Sequence, residues 1–163
     1  MWPAGKNPND IVVVAAVRTA VTKGFKGGFK DTEAMTMLTA ALKGVLDKTG
    51  LDPKLVDDIV VGSVLPMSGV RATETRMAAY MAGFPDTTSV YCVNRQCSSS
   101  LQAIASVASA IATGQYAIGI GAGVETMSKD AANSMNAPGG MRERRGQGCL
   151  VGNSTGRYLL CVH

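Results

Sequence analysis

From Asp10 onward, short runs of β-branched residues alternate with longer stretches of helical period. Ile11 to Val17 is an unbroken apolar run, rich in Val and too short for a globular helix, and it predicts a strand buried on both faces. A Gly-rich loop follows, Gly24 to Lys30. Ala34, Leu38, Ala41, Leu42, Val45 and Leu46 then recur at helical spacing, with Asp31 or Thr32 as the cap and Gly50 as the stop. Past Pro53, Ile59 to Leu65 predicts a second buried strand, and Pro66 to Gly69 a turn. Residues 72–82 predict a second helix with Met77, Ala78 and Met81 on one side, ended by Gly83 and Pro85. Thr88 to Val93 is the third predicted strand. The third helix, Ser98 to Thr113, carries a stripe of Leu101, Ile104, Ala105, Ala108, Ile111 and Ala112, with Gly114 as its stop. Ala117 to Val124 is the fourth predicted strand.

Strands alternating with helices predict an α/β fold, a mostly parallel sheet covered by helices, because each crossover must return the chain to the same end of the sheet. Residues 10–130 make one domain, preceded by an extension at 1–9. Beyond Asp130 the pattern stops. Residues 133–157 are rich in Gly, Asn, Ser and Arg without a sustained period, so 131–163 is expected to be an irregular basic tail. Only Tyr158-Leu159-Leu160 in it is suited to docking.

Composition changes this picture in three places. The chain of 163 residues suits one core and needs no disulfide or metal to stabilise it. The formal net charge of +4 sits mostly past Asp130, where Arg142, Arg144, Arg145 and Arg157 stand against Glu143 alone. With few aromatics beside them, these cations predict a solvated tail and no nucleic-acid partner. No apolar run approaches the roughly 20 residues of a membrane-spanning helix, so no membrane partner is expected. Neither terminus carries a recognisable secretory, mitochondrial or Ser-Lys-Leu address, and the four cysteines are expected to be reduced thiols.

Ligands of parallel sheets bind at the carboxyl ends of the strands, so the strand-to-helix junctions are where chemistry is expected. Cys97 sits at one, in Val93-Asn94-Arg95-Gln96-Cys97-Ser98-Ser99-Ser100-Leu101. Free N–H groups and the helix dipole there favour a thiolate nucleophile and can hold an oxyanion. The same position also suits a buried cysteine filling space under the helix. Cys92, inside the strand, is expected to be such a filler. Its spacing from Cys97 fits neither a zinc knuckle nor a redox pair, and the only His, His163, ends the chain, so no metal site is expected, including at Cys149, Cys161 and His163. Gly119-Ile120-Gly121-Ala122-Gly123 lacks the following helix of a phosphate-binding turn, so its glycines predict close approach of a helix to a central strand. Glu125 at that strand's end suits an active-site carboxylate, a helix cap or a salt bridge.

The stretch Val93 to Ala103 closely resembles the nucleophile motif of the thiolases, particularly degradative peroxisomal 3-ketoacyl-CoA thiolases. Val17-Arg18-Thr19, Gly27-Gly28-Phe29-Lys30-Asp31 and Gly121-Ala122-Gly123-Val124-Glu125-Thr126-Met127-Ser128 resemble the family in the same order, from about Asp10 to Asp130. The resemblance implies Cys97 as catalytic nucleophile, with its N–H in an oxyanion hole, and acyl transfer between a 3-ketoacyl-CoA and CoA. It implies no permanently bound cofactor, and acyl-CoA and CoA as substrates. It further implies a homodimer or pairing with a full-length thiolase, and a peroxisomal location, with the cytoplasm as the alternative. Two residues depart from the pattern: Ser100 replaces a usual Gly, where its side chain is expected to crowd the acyl pocket, and Ala20 replaces a common Pro. The family's second half carries a Gly-His-Pro motif and a second reactive Cys; these 163 residues hold neither, so little turnover is expected of them alone. A non-catalytic dimerising fragment is the other reading, and half of a dinucleotide-binding fold a third.

Overall fold

The computed structural model describes residues 10–65 and 70–130, together with the backbone of residues 160–162. In chain order the elements are β1 (Ala15–Val17), α1 (Ala34–Thr49), a 3₁₀ turn (Pro53–Leu55), β2 (Asp58–Gly62), α2 (Arg71–Ala82), β3 (Ser89–Val93), α3 (Ser99–Ala112), β4 (Gly119–Gly123) and β5 (Leu160–Val162). The sheet order is β1-β5-β4-β2-β3. Strand β2 pairs in parallel with both β3 and β4, while β5 is antiparallel to β4 and to β1. The expected α/β fold is present, with a parallel centre.

Alternation along β2 divides the core between the two faces of the sheet. Ile59 and Val61, with Ile120 and Ala122 of β4, pack under α1 and α2 against Leu38, Leu42, Val45, Ala78 and Ala79. Val60 points the other way, onto Ala103 and Val107 of α3. Burying a Leu or Ile such as Leu42 or Ile59 contributes about 1.5–3 kcal/mol each, so the α1/α2 side holds most of the hydrophobic stabilisation. The expected stops are correct in kind: Gly50 (φ +65°) and Gly83 (φ +101°) end α1 and α2 in the left-handed region that Gly adopts without penalty.

The α3 side is built differently. A Cβ placed on Gly121 would lie 2.7 Å from Ile104 Cα, and one on Gly62 would lie 2.3 Å from the Ser99 carbonyl carbon. These glycines let the helix backbone rest almost directly on β2 and β4, which is the role expected of the β4 glycines.

That closeness corrects the expected face of α3. Its buried residues are Ser99, Ala103 and Val107, spaced four apart, and not the Leu101 stripe. Leu101 is 68% exposed, because a helix lying on bare backbone accepts only small or slender side chains beneath it. The face of α2 is corrected likewise. Thr75, Ala78, Ala79 and Ala82 are buried toward α1 and β3, and Arg71 is buried on the chain after β2, while Met77 and Met81 face outward. Small side chains, and polar ones with hydrogen-bond partners, fit that close packing better than thioethers do.

The first strand is shorter than expected. It begins at Ala15, and Val12, Val13 and Val14 ahead of it are exposed. Helix α1 is capped by neither Asp31 nor Thr32; Glu33 holds the cap position in extended conformation, and its carbonyl accepts from the Thr36 and Met37 N–H groups. Strand β2 ends at Gly62, before the expected Leu65. In the stretch expected to be irregular, Leu160–Val162 forms a strand between β1 and β4, a segment too short to show any period in sequence. The turn expected at Pro66 to Gly69, the extension at 1–9 and the remaining tail, 131–159 and 163, lie outside the described residues.

Gly121→Ala is expected to destabilise the chain by about 1–3 kcal/mol through overpacking, read as a lower urea midpoint. Gly28→Ala, where an added Cβ meets nothing within 4 Å, is expected to change stability by less than about 0.5 kcal/mol. Equal behaviour of the two variants would overturn the close-approach account.

Candidate active site

Between the end of β3 at Val93 and the start of α3 at Ser99, the chain reverses through a tightly bonded loop. The Gln96 N–H donates to Asn94 Oδ1 (3.0 Å). The Arg95 carbonyl accepts from the Ser98 N–H (3.3 Å) and from Ser98 Oγ (2.8 Å). The Ser99 N–H donates to the Gln96 carbonyl (3.1 Å). The Arg95 guanidinium rests on the Gln102 carboxamide. Out of this loop Cys97 projects as an exposed thiol, two residues ahead of the first helical residue. The first i→i−4 bond into α3 runs from the Gln102 N–H to Ser98 O (2.9 Å). The amides of Ser98 and Ser99 are thus already satisfied by the loop, and those of Ser100 and Leu101 are left at the helix end.

Ser100 does not turn toward the thiol. An added Cβ on Gly123 would lie 1.7 Å from Ser100 Oγ, so the hydroxymethyl group is directed at the sheet, into space that Gly123 leaves open. The expected crowding by Ser100 therefore falls on β4.

Cys92, in β3, occupies a different setting. It is half-buried, its Sγ lies 3.1 Å from Thr75 Oγ1, and burial pushes its thiol up from the ordinary value. That disfavours the thiolate and agrees with the filler role expected for it.

Beyond the ends of β2 and β4, a second group of polar residues is held together by Arg71, which the sequence reading did not single out. The Arg71 Nε donates to Ser63 Oγ (3.1 Å) and Leu65 O (3.1 Å), and its Nη2 to Leu65 O (2.7 Å). Its two terminal nitrogens pair with Glu74 and Asp130. Beside it, the Glu125 carboxylate accepts from the Val64 N–H (2.8 Å), the Leu65 N–H (3.0 Å) and Ser63 Oγ (3.4 Å). Glu125 thus closes the free amides past β2, a role that its expected ones, an active-site carboxylate, a helix cap or a salt bridge, did not include. Burial raises its carboxyl above the ordinary value in spite of those bonds. The sequence signal for Arg71 was weak: a cation at the start of a helix with Glu74 three residues on reads as a solvated pair.

Among the described residues, no group of three or more His, Cys, Asp or Glu side chains could hold a metal ion, and no helix is long and apolar enough to cross a membrane.

Residues 11–154 match the family described as thiolase, N-terminal domain. The chain belongs to the thiolase family. It is 57% identical over 122 residues to the peroxisomal 3-ketoacyl-CoA thiolase 1 of Petunia hybrida, covering 75% of this chain and 26% of the petunia protein. The dimeric peroxisomal thiolase of Saccharomyces cerevisiae superposes with a TM-score of 0.76 at 39% identity, over 84% of this chain and 35% of that one. A second yeast structure, of peroxisomal 3-ketoacyl-CoA thiolase, is described as five layers, α-β-α-β-α, made from two core domains of identical topology. It superposes with a TM-score of 0.71 at 38% identity, over 78% of this chain and 38% of that one. The chain thus spans between a quarter and two-fifths of these relatives. The thiolase match runs to residue 154, past the Asp130 limit of the motif resemblance.

Burial of the Asp130 carboxyl raises it from 3.8 to about 6, outweighing the Arg71 guanidinium, which Glu74 shares. A raised carboxyl means that the folded chain holds this proton more tightly than the unfolded chain does. Its stabilising contribution is full below about pH 4 and is lost as the pH rises through about 6. The stability difference between the native chain and Asp130→Asn should therefore shift in favour of the native chain between pH 7.5 and pH 4.5, measured as paired urea midpoints. A pH-independent difference would overturn this assignment.

Proposed function

We propose that this chain carries the nucleophile-bearing part of a thiolase-type acyltransferase, with Cys97 as the catalytic residue. The observation that carries the reading is an exposed thiol at the β3–α3 junction, inside a sequence that matches the thiolase N-terminal domain. The Cys97 thiolate attacks the 3-keto carbonyl carbon of a 3-ketoacyl-CoA. The bond between C2 and C3 breaks, its electron pair stays with the acetyl-CoA carbanion, and a proton completes acetyl-CoA. The shortened acyl group remains on Cys97 as a thioester until the thiol of free CoA takes it and Cys97 is released. Amides left at the start of α3 are suited to the developing oxyanion. No resident cofactor enters these steps, and acyl-CoA and CoA are the substrates. The petunia and yeast relatives are peroxisomal by name, and we assign this chain to the same compartment, with the cytoplasm as the alternative.

General acid–base assistance is worth about 10²–10⁴-fold, and the 163 residues contain no His besides His163. The expected result is acylation with little turnover. Incubated with a medium-chain 3-ketoacyl-CoA, the chain should gain the mass of one acyl group, mapped to Cys97. Cys97→Ala should remove that gain and Cys92→Ala should leave it. An acyl group mapped elsewhere, or normal thiolytic turnover by the Cys97→Ala chain, would overturn the assignment.

One observation favours an accompanying interaction role. The outer face of α3 exposes Leu101, Ala105 and Ala112, so this helix is apolar on both sides, as helices buried on both sides are. The chain has three layers, α1/α2, sheet and α3, and two such units sharing one helical layer would give the five layers described for the yeast enzyme. The reading is that this face pairs with a second core domain, supplied by another copy or by a full-length thiolase. Sedimentation should find the chain dimeric and Leu101→Arg monomeric, while a native monomer at the same concentration would exclude pairing between copies through this face.

A further inference from the structure

Gln96, the residue before Cys97, has φ +53°, in the left-handed region that a residue with a side chain enters only at a cost. Such a conformation persists where the surroundings over-determine it; here Asn94 Oδ1 holds the Gln96 N–H (3.0 Å) and one buried hydroxyl holds its carbonyl. Ser99 is 3% exposed. Its Oγ accepts from the Arg95 N–H (2.9 Å) and donates to the Gln96 carbonyl (2.6 Å), the oxygen that also receives the Ser99 N–H (3.1 Å). Ser99 is itself held fast, since its carbonyl carbon lies over Gly62, where no Cβ would fit. The peptide plane between Gln96 and Cys97 is therefore fixed through its oxygen by a residue anchored on β2. Because that plane is rigid, its orientation also sets the direction of the Cys97 N–H and the base from which the thiol projects.

We propose that Ser99 is a positioning residue: its hydroxyl, bridging the Arg95 N–H and the Gln96 carbonyl, holds Gln96 left-handed and thereby aims the Cys97 thiol and amide outward from the start of α3. Ser99 touches no substrate. What the aim serves rests on the acyl-transfer reading, whereas the aim itself can be measured without acyl-CoA. A hydroxyl that only stabilised the first turn of α3 would change the melting temperature and leave the reactivity of Cys97 alone. A positioning hydroxyl changes that reactivity in a way that depends on what occupies position 96.

The test is the alkylation rate of Cys97 by iodoacetamide in the 163-residue chain, resolved by peptide mass and followed from pH 6 to pH 10, with folding checked by circular dichroism. Ser99→Ala is expected to lower the high-pH plateau roughly five- to thirtyfold, the population shift set by the cost of a left-handed side-chain residue. Gln96→Gly alone should match the native chain. Gln96→Gly combined with Ser99→Ala should return the rate to within about threefold, because Gly takes positive φ without that cost. Gln96→Val, at an exposed position, should slow alkylation with Ser99 in place, and it keeps the test decisive if Ser99→Ala does not fold. A native plateau in Ser99→Ala, or a loss that glycine at 96 does not restore, would overturn the proposal. Native alkylation without any acyl gain from a 3-ketoacyl-CoA would instead overturn the acyl-transfer reading, and the alkylation series would still decide the role of Ser99.

Discussion

The architecture depends on how closely α3 approaches the sheet. Gly62 on β2, with Gly121 and Gly123 on β4, removes the side chains that would hold the helix at an ordinary distance. A helix set on side chains could slide or tilt as they repack. Set on backbone, α3 has little such freedom, because protein interiors resist overlap at close range. The loop from Asn94 to Ser98 is therefore strung between two fixed points, the end of β3 and a helix start pressed on β2. Cys97 takes its position from that loop. Its exposure follows from helix packing begun several residues further along the chain.

On the other side of the sheet the same strands end in a different environment. Arg71 is buried, and its guanidinium serves Ser63, the Leu65 carbonyl, Glu74 and Asp130. Glu125 satisfies the amides of Val64 and Leu65. Together they link the end of β2, the beginning of α2 and the segment after β4, where ordinary sheet pairing has ceased. Such a network is costly to break from one side only, since removing Arg71 would leave carboxylates buried without their cation. These groups lie at the carboxyl ends of the strands, yet their hydrogen bonds are directed at the chain itself. The thiol across the sheet has the opposite character.

The order of β1 to β4 and of the three α-helices was legible because short apolar runs alternate with stretches of helical period and a glycine follows each helix. The role of the β4 glycines was legible too, since they alternate within an apolar run with no helix after them. The resemblance of the stretch around Cys97 to the thiolase nucleophile motif was plain in sequence, and its place at a strand-to-helix junction followed from the elements on either side. The faces of α2 and α3 were not legible. Periodicity marks the apolar stripe, but the stripe turned toward the sheet is the one that fits, and at Ser99, Ala103 and Val107 fit meant small volume. Arg71 was missed because its burial depends on partners as distant in sequence as Asp130. Strand β5 was missed because three residues carry no period.

The contact between Ser100 and Gly123 restricts more than local packing. One position carries a hydroxymethyl group and the other carries nothing, and there is room for one such group but not for two. Serine fits at position 100 because position 123 carries no side chain. With serine there, an alanine at 123 would place its Cβ 1.7 Å from the hydroxyl oxygen. The two sites therefore share a single allotment of volume, whose size is set by the distance between a helix and a strand.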